Sequence, residues 1–239
     1  MPKLKFDQTG EKKFQLGVSE GVLFPYSNGT AGTGVAWNGL TSVNDTPDGG
    51  DEQAQYADNI KYVSVRGPEN RNGTINCFTY PEEFNKCLGL YGANGVYISG
   101  QQKTPFNLAY KTKIGNDTMG VSYGEKIHIV YNATSNSSDT EYQTMNDSPE
   151  GIELSYEFAT NPVSVDLSAS ERSSLASKFP DLANVTQTAY IEIEKTAENA
   201  SKYTEIENLI YGTDAGSDGG AGTQSTCPTP TQILQILLK

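Results

Sequence analysis

Residues 152–158, IELSYEF, decide the fold class of this chain. Apolar and polar side chains alternate along the stretch, with Ile152, Leu154, Tyr156 and Phe158 on one face and Glu153, Ser155 and Glu157 on the other. This two-residue period is typical of a β-strand with one face in a hydrophobic core and one in water. The stretch therefore predicts a strand of an antiparallel sheet whose apolar face packs inward.

The same period recurs along the chain and predicts a β-rich fold. Residues 126–131 alternate in the same way, and we expect this strand to pair antiparallel with 152–158 across a long polar loop. Further strands are predicted at residues 12–18, 56–65, 73–80, 104–114 and 189–194. Three helices are predicted at residues 80–88, 170–179 and 197–211, with Ser170 and Thr196 as N-caps and Gly89, Pro180 and Gly212 as stops. The expected fold is mainly β, an antiparallel β-sandwich or open barrel with one flanking helix and short extra helices.

The net charge of −12 is concentrated in two segments. Residues 41–59 hold five acids and no base, residues 132–166 hold seven acids and no base, and the rest of the chain is balanced. A protein that grips nucleic acid through its phosphates needs a positive surface, so duplex binding is disfavoured. Acidic loops often serve only solubility, but two concentrated segments favour a dedicated acidic surface.

Residues 41–56 are predicted to be a long acidic loop that leads into a strand near Tyr56. The surrounding stretch 39–62, GLTSVNDTPDGGDEQAQYADNIKY, contains five carboxylates, three glycines and a proline. Loops of this length are uncommon in compact domains unless they carry a function. Asp45, Asp48 and Asp51 could hold calcium weakly, but their spacing is not that of an EF-hand, and a loop without metal is favoured.

The two ends of the chain predict a protein made in the cytoplasm, with reduced thiols. Residues 1–10 have no apolar stretch for export, no run reaches membrane-spanning length, and three cysteines cannot all pair. Residues 1–213 are expected to form one domain, and residues 214–239 a flexible linker followed by a short apolar C-terminal segment. This segment either docks on a neighbouring subunit or is a disordered tail, and its apolar residues are Ile233, Leu234, Ile236, Leu237 and Leu238.

The sequence offers little for acid–base or nucleophilic catalysis. Its single histidine, His128, lies on the polar face of a predicted strand, where a surface or cross-strand role is favoured. Cys77 and Cys87 do not have a zinc-site spacing. Glu153 and Glu157 share one strand face, as the carboxylates of a glycosidase can, but solvent-facing acids are far commoner on strands. No enzyme, cofactor or metal site is predicted.

Six further motifs follow one another in order: YADNIKYVSV (56–65), TYPEEF (79–84), GND (115–117), YGEKIHIVY (123–131), YQTMNDSPEGIELSYEF (142–158) and ENLIYGTD (207–214). With the acidic stretch they make the chain, up to residue 214, resemble the major tail tube protein of long-tailed (siphovirus-type) bacteriophages. The resemblance implies a β-sandwich or open barrel, and hexameric rings that stack into the tube of a virion tail. It also implies its partners: further copies of the chain, a tape-measure protein, tail terminator and distal tail proteins, and double-stranded DNA passing through.

With this resemblance, three sets of residues become candidate sites. The acidic loop is expected to make contacts between rings, through Asp45, Asp48, Asp51, Glu52 and Asp58. Its partner is expected to be the basic N-terminal segment, with Lys3, Lys5, Lys12 and Lys13. The channel wall is expected to carry Asp147, Glu150, Glu153 and Glu157, because a conduit for DNA should repel phosphates.

A carbohydrate-binding β-sandwich module, of a phage tail or a cell surface, is the alternative function. The chain contains 14 tyrosines that could stack on sugars, but only one tryptophan. That residue, Trp37, lies beside a glycine-rich stretch, and no aromatic row is evident on a polar strand face. An enzyme is the third possibility.

Overall fold

The computed structural model describes residues 4–50, 52–66, 69–136, 142, 144, 151–214 and 222–239, without the side chains of residues 48, 49, 66 and 69. The strands are β1 (Lys13–Ser27), β2 (Thr30–Ala31), β3 (Val35–Trp37), β4 (Leu40–Gly49), β5 (Glu52–Ala57), β6 (Ile60–Arg66), β7 (Glu69–Cys77), β8 (Tyr91–Ala93), β9 (Val96–Ile98), β10 (Phe106–Asn116), β11 (Gly120–Ser135), β12 (Leu154–Thr160), β13 (Val163–Ser164), β14 (Gln187–Thr188) and β15 (Tyr190–Glu194). The helices are α1 (Phe84–Leu88), α2 (Ala169–Lys178), α3 (Ala200–Tyr211) and α4 (Pro230–Leu238), with a 3-10 turn at Pro180–Leu182.

The chain folds mainly as antiparallel β-structure, and the expected fold class is confirmed. One long ladder runs β1-β10-β11-β12-β7-β4, and β15 pairs with the first half of β11. The expected antiparallel pairing of β11 with β12 is present, from Ala133 opposite Thr160 to Ser135 opposite Phe158. The ladder therefore forms two layers, β1-β10-β11-β15 and β11-β12-β7-β4, which share β11.

A bulge at Asn132 carries β11 from the first layer to the second. Asn132 has a φ of 47°, a left-handed conformation that asparagine tolerates better than most residues. The side chain of Asn107 on β10 accepts a hydrogen bond from the Asn132 N–H at 2.7 Å, which holds this corner. The register between β10 and β11 shifts at the same point, as expected of a strand that changes layer through a bulge.

The main core lies between the two layers. Phe106 and Leu108 of β10 meet Ile75 of β7 and Phe158 of β12, all at most 1% exposed. Phe84 of α1 closes one end of this core, with its ring 4.5 Å from that of Trp37. The inward face expected for residues 152–158 is confirmed for Leu154, Tyr156 and Phe158, whereas Ile152 precedes the strand and is 44% exposed.

The outer face of the first layer is covered by helices. Ile127, Ile129 and Tyr131 of β11 pack against α3 and α4, through the side chains Tyr203, Ile206, Ile210, Ile233 and Ile236. Both faces of β10 and β11 are thus buried, although their sequence predicted strands buried on one face only. Helix α2 begins one residue earlier than expected, because Ser168 and Glu171 form a capping box.

The acidic segment is not a loop, and that expectation was wrong. Residues 40–49 form β4 on the edge of the second layer, and β5 and β6 form a hairpin. The hairpin turn places Asp58 and Asn59 at φ values of 50° and 62°. Two successive left-handed residues are typical of the type I′ turn that joins twisted strands.

Candidate assembly and channel surfaces

The hairpin Glu52–Arg66, called the arm below, continues beyond the end of the second layer. The β4–β7 ladder ends with Gly49 opposite Glu69, and in the described part of the chain β5 and β6 then pair only with each other. The arm exposes large apolar side chains: Tyr56 (73%), Ile60 (63%), Tyr62 (73%), Val63 (46%) and Val65 (55%). Because side chains alternate along a strand, both faces of the arm expose large apolar groups, and exposed apolar surface can mark an interaction site.

The acids expected to make ring contacts separate into two groups. Glu52 and Asp58 lie on the arm, where Lys61 pairs with the Glu52 carboxylate and lowers its pKa. Asp45 instead points between the layers, where the Arg71 guanidinium pairs with it. A contact role for Asp45 is therefore not supported by its position. The backbone of Asp48 pairs with Asn70, whereas the Asp48 side chain and the whole of Asp51 lie outside the described residues.

A buried polar network occupies the interior beside the base of the arm. The His128 ring stacks on Tyr110 with 4.7 Å between centroids, and its nitrogens lie 2.5 Å from the Tyr190 hydroxyl and 2.7 Å from that of Thr112. His128 is 5% exposed, so the expected surface position was wrong and the cross-strand one is confirmed. Burial lowers the pKa of His128, which favours the neutral ring. Its two hydroxyl partners give the histidine a structural role.

The outer face of the second layer is polar and is not covered by a helix among the described residues. Its side chains, called the polar face below, are Ser42, Asn44, Thr46, Asn72, Thr74, Asn76, Ser155 and Glu157, with Glu153 just before β12. Glu153 accepts a hydrogen bond from Thr41. These two glutamates are the only charged side chains of this face within the described part of the chain. The other two expected channel acids, Asp147 and Glu150, lie outside the described residues.

The basic N-terminal segment lies at the same end of the sheets as the arm. β4 and β10 run in the same direction, so the end of β4, the β10–β11 turn and the start of β1 are neighbours at one end. Lys5 and Lys12 are exposed there, and the Lys13 ammonium lies 3.8 Å from Glu194, whereas Lys3 lies outside the described residues. Among the described residues, none of these bases lies next to an acid of the arm, and their pairing across a ring contact stays a prediction.

The opposite end of the sheets carries a second exposed hairpin. β8 and β9 lie between α1 and the start of β10, and expose Tyr91, Val96, Tyr97 and Ile98 by 43–66%. A cleft of about 480 Å³ beside them is lined by Tyr91, Tyr97, Glu82, Glu83, Asn85 and Lys86. Sequence analysis missed this site, because the tyrosines lie in short strands separated by glycines and no long alternating pattern marks them.

The apolar C-terminal segment packs on its own chain, so neither expected alternative, docking on a neighbouring subunit or a disordered tail, describes it. Ile233, Leu234 and Ile236 are at most 7% exposed in α4, and Leu237 and Leu238 pack partly against α2 and the turn after it. The Tyr131 hydroxyl donates to the Pro228 carbonyl at 2.9 Å and fixes the start of α4. Thr223 of the predicted linker forms a β-bridge with Thr213, just before it, and residues 215–221 lie outside the described residues.

The described residues form neither a metal site nor a membrane-crossing helix. Among the described residues, no group of three or more His, Cys, Asp and Glu side chains could hold a metal ion. No helix in that part of the chain has the length and apolar character that a membrane crossing requires. No known family model matches the chain, and no curated protein matches it.

Proposed function

We propose that the chain is a structural subunit that assembles into hexameric rings, stacked as the tail tube of a long-tailed bacteriophage. The observation that carries the proposal is the arm, which presents five large apolar side chains to water and whose strands, within the described residues, pair only with each other. An isolated hairpin is marginally stable in water, so its apolar faces favour a role in which another copy covers them.

The two ends of the subunit support an open, head-to-tail polymer. The arm projects from one end, and the β8–β9 hairpin exposes Val96, Tyr97 and Ile98 at the other. An open stack needs two different, complementary surfaces on each subunit, because a contact between like ends closes into a dimer. The β8–β9 end is therefore our candidate acceptor for the arm of the next ring.

The polar face supports the channel. Helices cover the first layer on its outside, while the second layer carries hydroxyl, amide and carboxylate groups. A wall of this composition offers DNA no fixed positive partner, and Glu153 and Glu157 repel its phosphates. We place the polar face toward the lumen and the helices toward the outside. The polymer then has no catalytic activity, and DNA is a passing cargo.

A carbohydrate-binding module remains the second candidate, because of the cleft between α1 and the β8–β9 hairpin. Two half-exposed tyrosines beside acidic and amide side chains are the kind of surface that stacks on a sugar ring and hydrogen-bonds its hydroxyls. This cleft is shallow, and it lies in the end surface that stacking would cover.

Electron microscopy of the concentrated chain tests the proposal, with a variant in which residues 50–68 are replaced by an Asn-Gly turn as its matched control. The replacement joins Gly49 to Glu69, the last pair of the β4–β7 ladder, and removes no core residue. We expect tubes or stacked rings from the native chain, and a folded variant that does not stack. Dispersed monomers of the native chain that bind glycans would favour the second candidate instead.

A further inference from the structure

We propose that residues 4–7 of a second copy of this chain add a strand to the free edge of β15, and bury Leu4 and Phe6 in the groove between β15, α3 and α4. The inference goes beyond the tube, since it requires only that copies of the chain associate. It rests on a groove, a free strand edge and an exposed segment of matching pattern.

The groove has a volume of about 410 Å³ and runs along the side of β15 that β11 does not occupy. Its apolar wall includes Ile206 of α3 and Ile233 and Leu237 of α4. Within the described residues, β15 pairs with β11 alone, so it is an edge strand. An edge strand beside an apolar groove is the arrangement that binds an extended peptide by strand addition.

The open position on this edge is Glu192. The backbones of Ala189 and Lys195 hydrogen-bond to the β11 side. In an antiparallel strand the backbone groups of successive residues point to opposite sides, so the N–H and C=O of Glu192 point away from β11, toward the groove. Of the neighbouring outward groups, the N–H and C=O of Tyr190 and the C=O of Glu194 already have side-chain partners. Thr188 exchanges hydrogen bonds with the backbone of Tyr190, and the Asn199 amide donates to the Glu194 carbonyl at 2.8 Å. One residue of an added strand can therefore form a doubly hydrogen-bonded pair with Glu192.

The segment that fits this position is Leu4-Lys5-Phe6. Leu4 and Phe6 are 79% and 80% exposed, and because they lie two residues apart an extended strand turns both side chains to one face. With Lys5 opposite Glu192 in an antiparallel pair, Phe6 lies opposite Ile191 and Leu4 opposite Ile193. Both apolar side chains then point to the helix side of the sheet, where the groove is.

The charges match in the same register. Glu192 and Glu194 both pair with the buried Lys126, whose ammonium lies 2.5 Å from the first carboxylate and 3.7 Å from the second, and Glu194 also lies 3.8 Å from the Lys13 ammonium. Lys5 would lie on the same face as Glu192 and supply a further positive charge. Opposite charges directly across a pair of strands stabilise the pairing.

The occupant is a second copy because the chain does not fill its own groove. Residues that follow the segment are anchored elsewhere: the Gly10 N–H donates to Asp117 at 2.8 Å, and the Asn116 amide donates to the Gly10 carbonyl at 3.0 Å. The start of β1 comes close to β15, with the Lys13 ammonium 3.8 Å from the Glu194 carboxylate, yet Leu4 and Phe6 of the same chain stay outside the groove and are 79% and 80% exposed. Leu4 and Phe6 are thus left in water by their own chain.

Disulfide trapping between two full-length variants tests the pairing. A tagged Lys5→Cys chain is mixed with an untagged Glu192→Cys chain under mild oxidation, and with a Glu83→Cys chain as the matched control, since Glu83 is an exposed acid away from the groove. We expect the first mixture to give at least about tenfold more mixed dimer than the control. Equal yields would overturn the proposal, and so would a Lys5→Cys/Glu192→Cys double variant that closes only within one chain.

A second variant tests the proposal independently if Glu192→Cys folds poorly without its contact to Lys126. Leu4→Asp/Phe6→Asp changes only exposed residues, and we expect it to weaken self-association, measured by sedimentation, at least about tenfold. Unchanged association would contradict the proposal. Tubes that form normally with this variant would leave the proposed function intact and remove only the strand addition.

Discussion

The guanidinium of Arg71 lies over the ring of Tyr190, 4.7 Å from its centroid, and also pairs with the carboxylate of Asp45. Arg71 is on β7 and Asp45 on β4, the two strands that lead into the arm, whereas Tyr190 is on β15 of the other layer. This contact joins the base of the arm to the interior of the subunit. It connects the arm to the buried network around His128.

Replacing Arg71 by methionine should lower the free energy of unfolding by about 2–3 kcal/mol, because Asp45 would keep a half-buried charge without its partner. Burial of the Asp45 carboxylate already costs free energy in the native chain, since its Oδ1 atom is buried with no hydrogen-bond partner within the described structure. Urea denaturation measures the change. The Arg71→Met/Asp45→Asn double variant should recover part of the loss, and full stability of the single variant would contradict this account.

Stability should fall as the pH drops below about 6.5, owing to His128. Burial lowers the pKa of His128 in the folded chain, so the histidine of the unfolded chain binds a proton at a higher pH. The stability that is present above the pKa of the unfolded state is therefore lost as the pH falls through the pKa of the folded state. For one proton, the free energy of unfolding cannot change by more than about 1.4 kcal/mol per pH unit. Glu192, whose pKa is lowered mainly by its hydrogen bond to Lys126, adds its own loss only below the ordinary carboxylate range.

The pH effect is checked by urea denaturation of the native chain and a His128→Gln variant between pH 7.5 and 5. Glutamine keeps a side chain that can hydrogen-bond the Tyr190 or Thr112 hydroxyl and removes the titration. We expect a lower but flatter stability profile for the variant. Identical slopes for both proteins would show that His128 does not carry the dependence.

Ile233→Ala should destabilise the isolated subunit by about 2–4 kcal/mol, since it leaves a cavity between α4 and the first layer. Ile233 is 2% exposed, whereas Gln235 of the same helix is exposed and serves as the control, with an expected change below about 0.5 kcal/mol for Gln235→Ala. Thermal melting of dilute protein provides the comparison. A melting temperature insensitive to Ile233→Ala would restore the interpretation of this segment as an arm for a neighbouring subunit.

Replacing Glu153 and Glu157 by lysine should leave the subunit folded, because both side chains are exposed on the polar face. Assembled material should then retain DNA at low salt and release it as salt is raised, since each subunit gains phosphate-binding charges. Asn208→Lys, on the exposed side of α3, is the control for a charge placed on the helical layer. Equal DNA retention by intact tubes of both variants would argue against a lumen position of the polar face.

The sequence predicted the parts of the fold that follow from a single buried face. β12, β15 and the apolar stripe of α3 have clear periods, and they lie where the period places them. The sequence did not predict β4, because every second residue of this strand lies on the polar face and is hydrophilic. Asp45 adds a charged residue at an inward position. A strand with both faces polar has the composition of a loop, so only its pairing with β7 reveals it.

The sequence also did not predict the hairpin turn at residues 58–59 or the C-terminal helix α4, for two different reasons. Asp58-Asn59 carries no glycine, so the strongest turn signal was missing, although both residues tolerate left-handed backbone. Residues 230–238 are too few to reveal which surface they cover. That surface includes β11, far away in the sequence, where the Tyr131 hydroxyl donates to the Pro228 carbonyl. The candidate channel acids Glu153 and Glu157 were identified from alternation alone.

Cryo-electron microscopy of the assembled chain, at a resolution that separates strands, tests the central claim most directly. The account predicts stacked rings of six subunits, with the polar face of β12, β7 and β4 toward an open channel, α3 and α4 outside, and each arm on the adjacent ring. A chain that stays monomeric at high concentration would contradict it. So would a tube in which Glu153 and Glu157 lie on the outer surface.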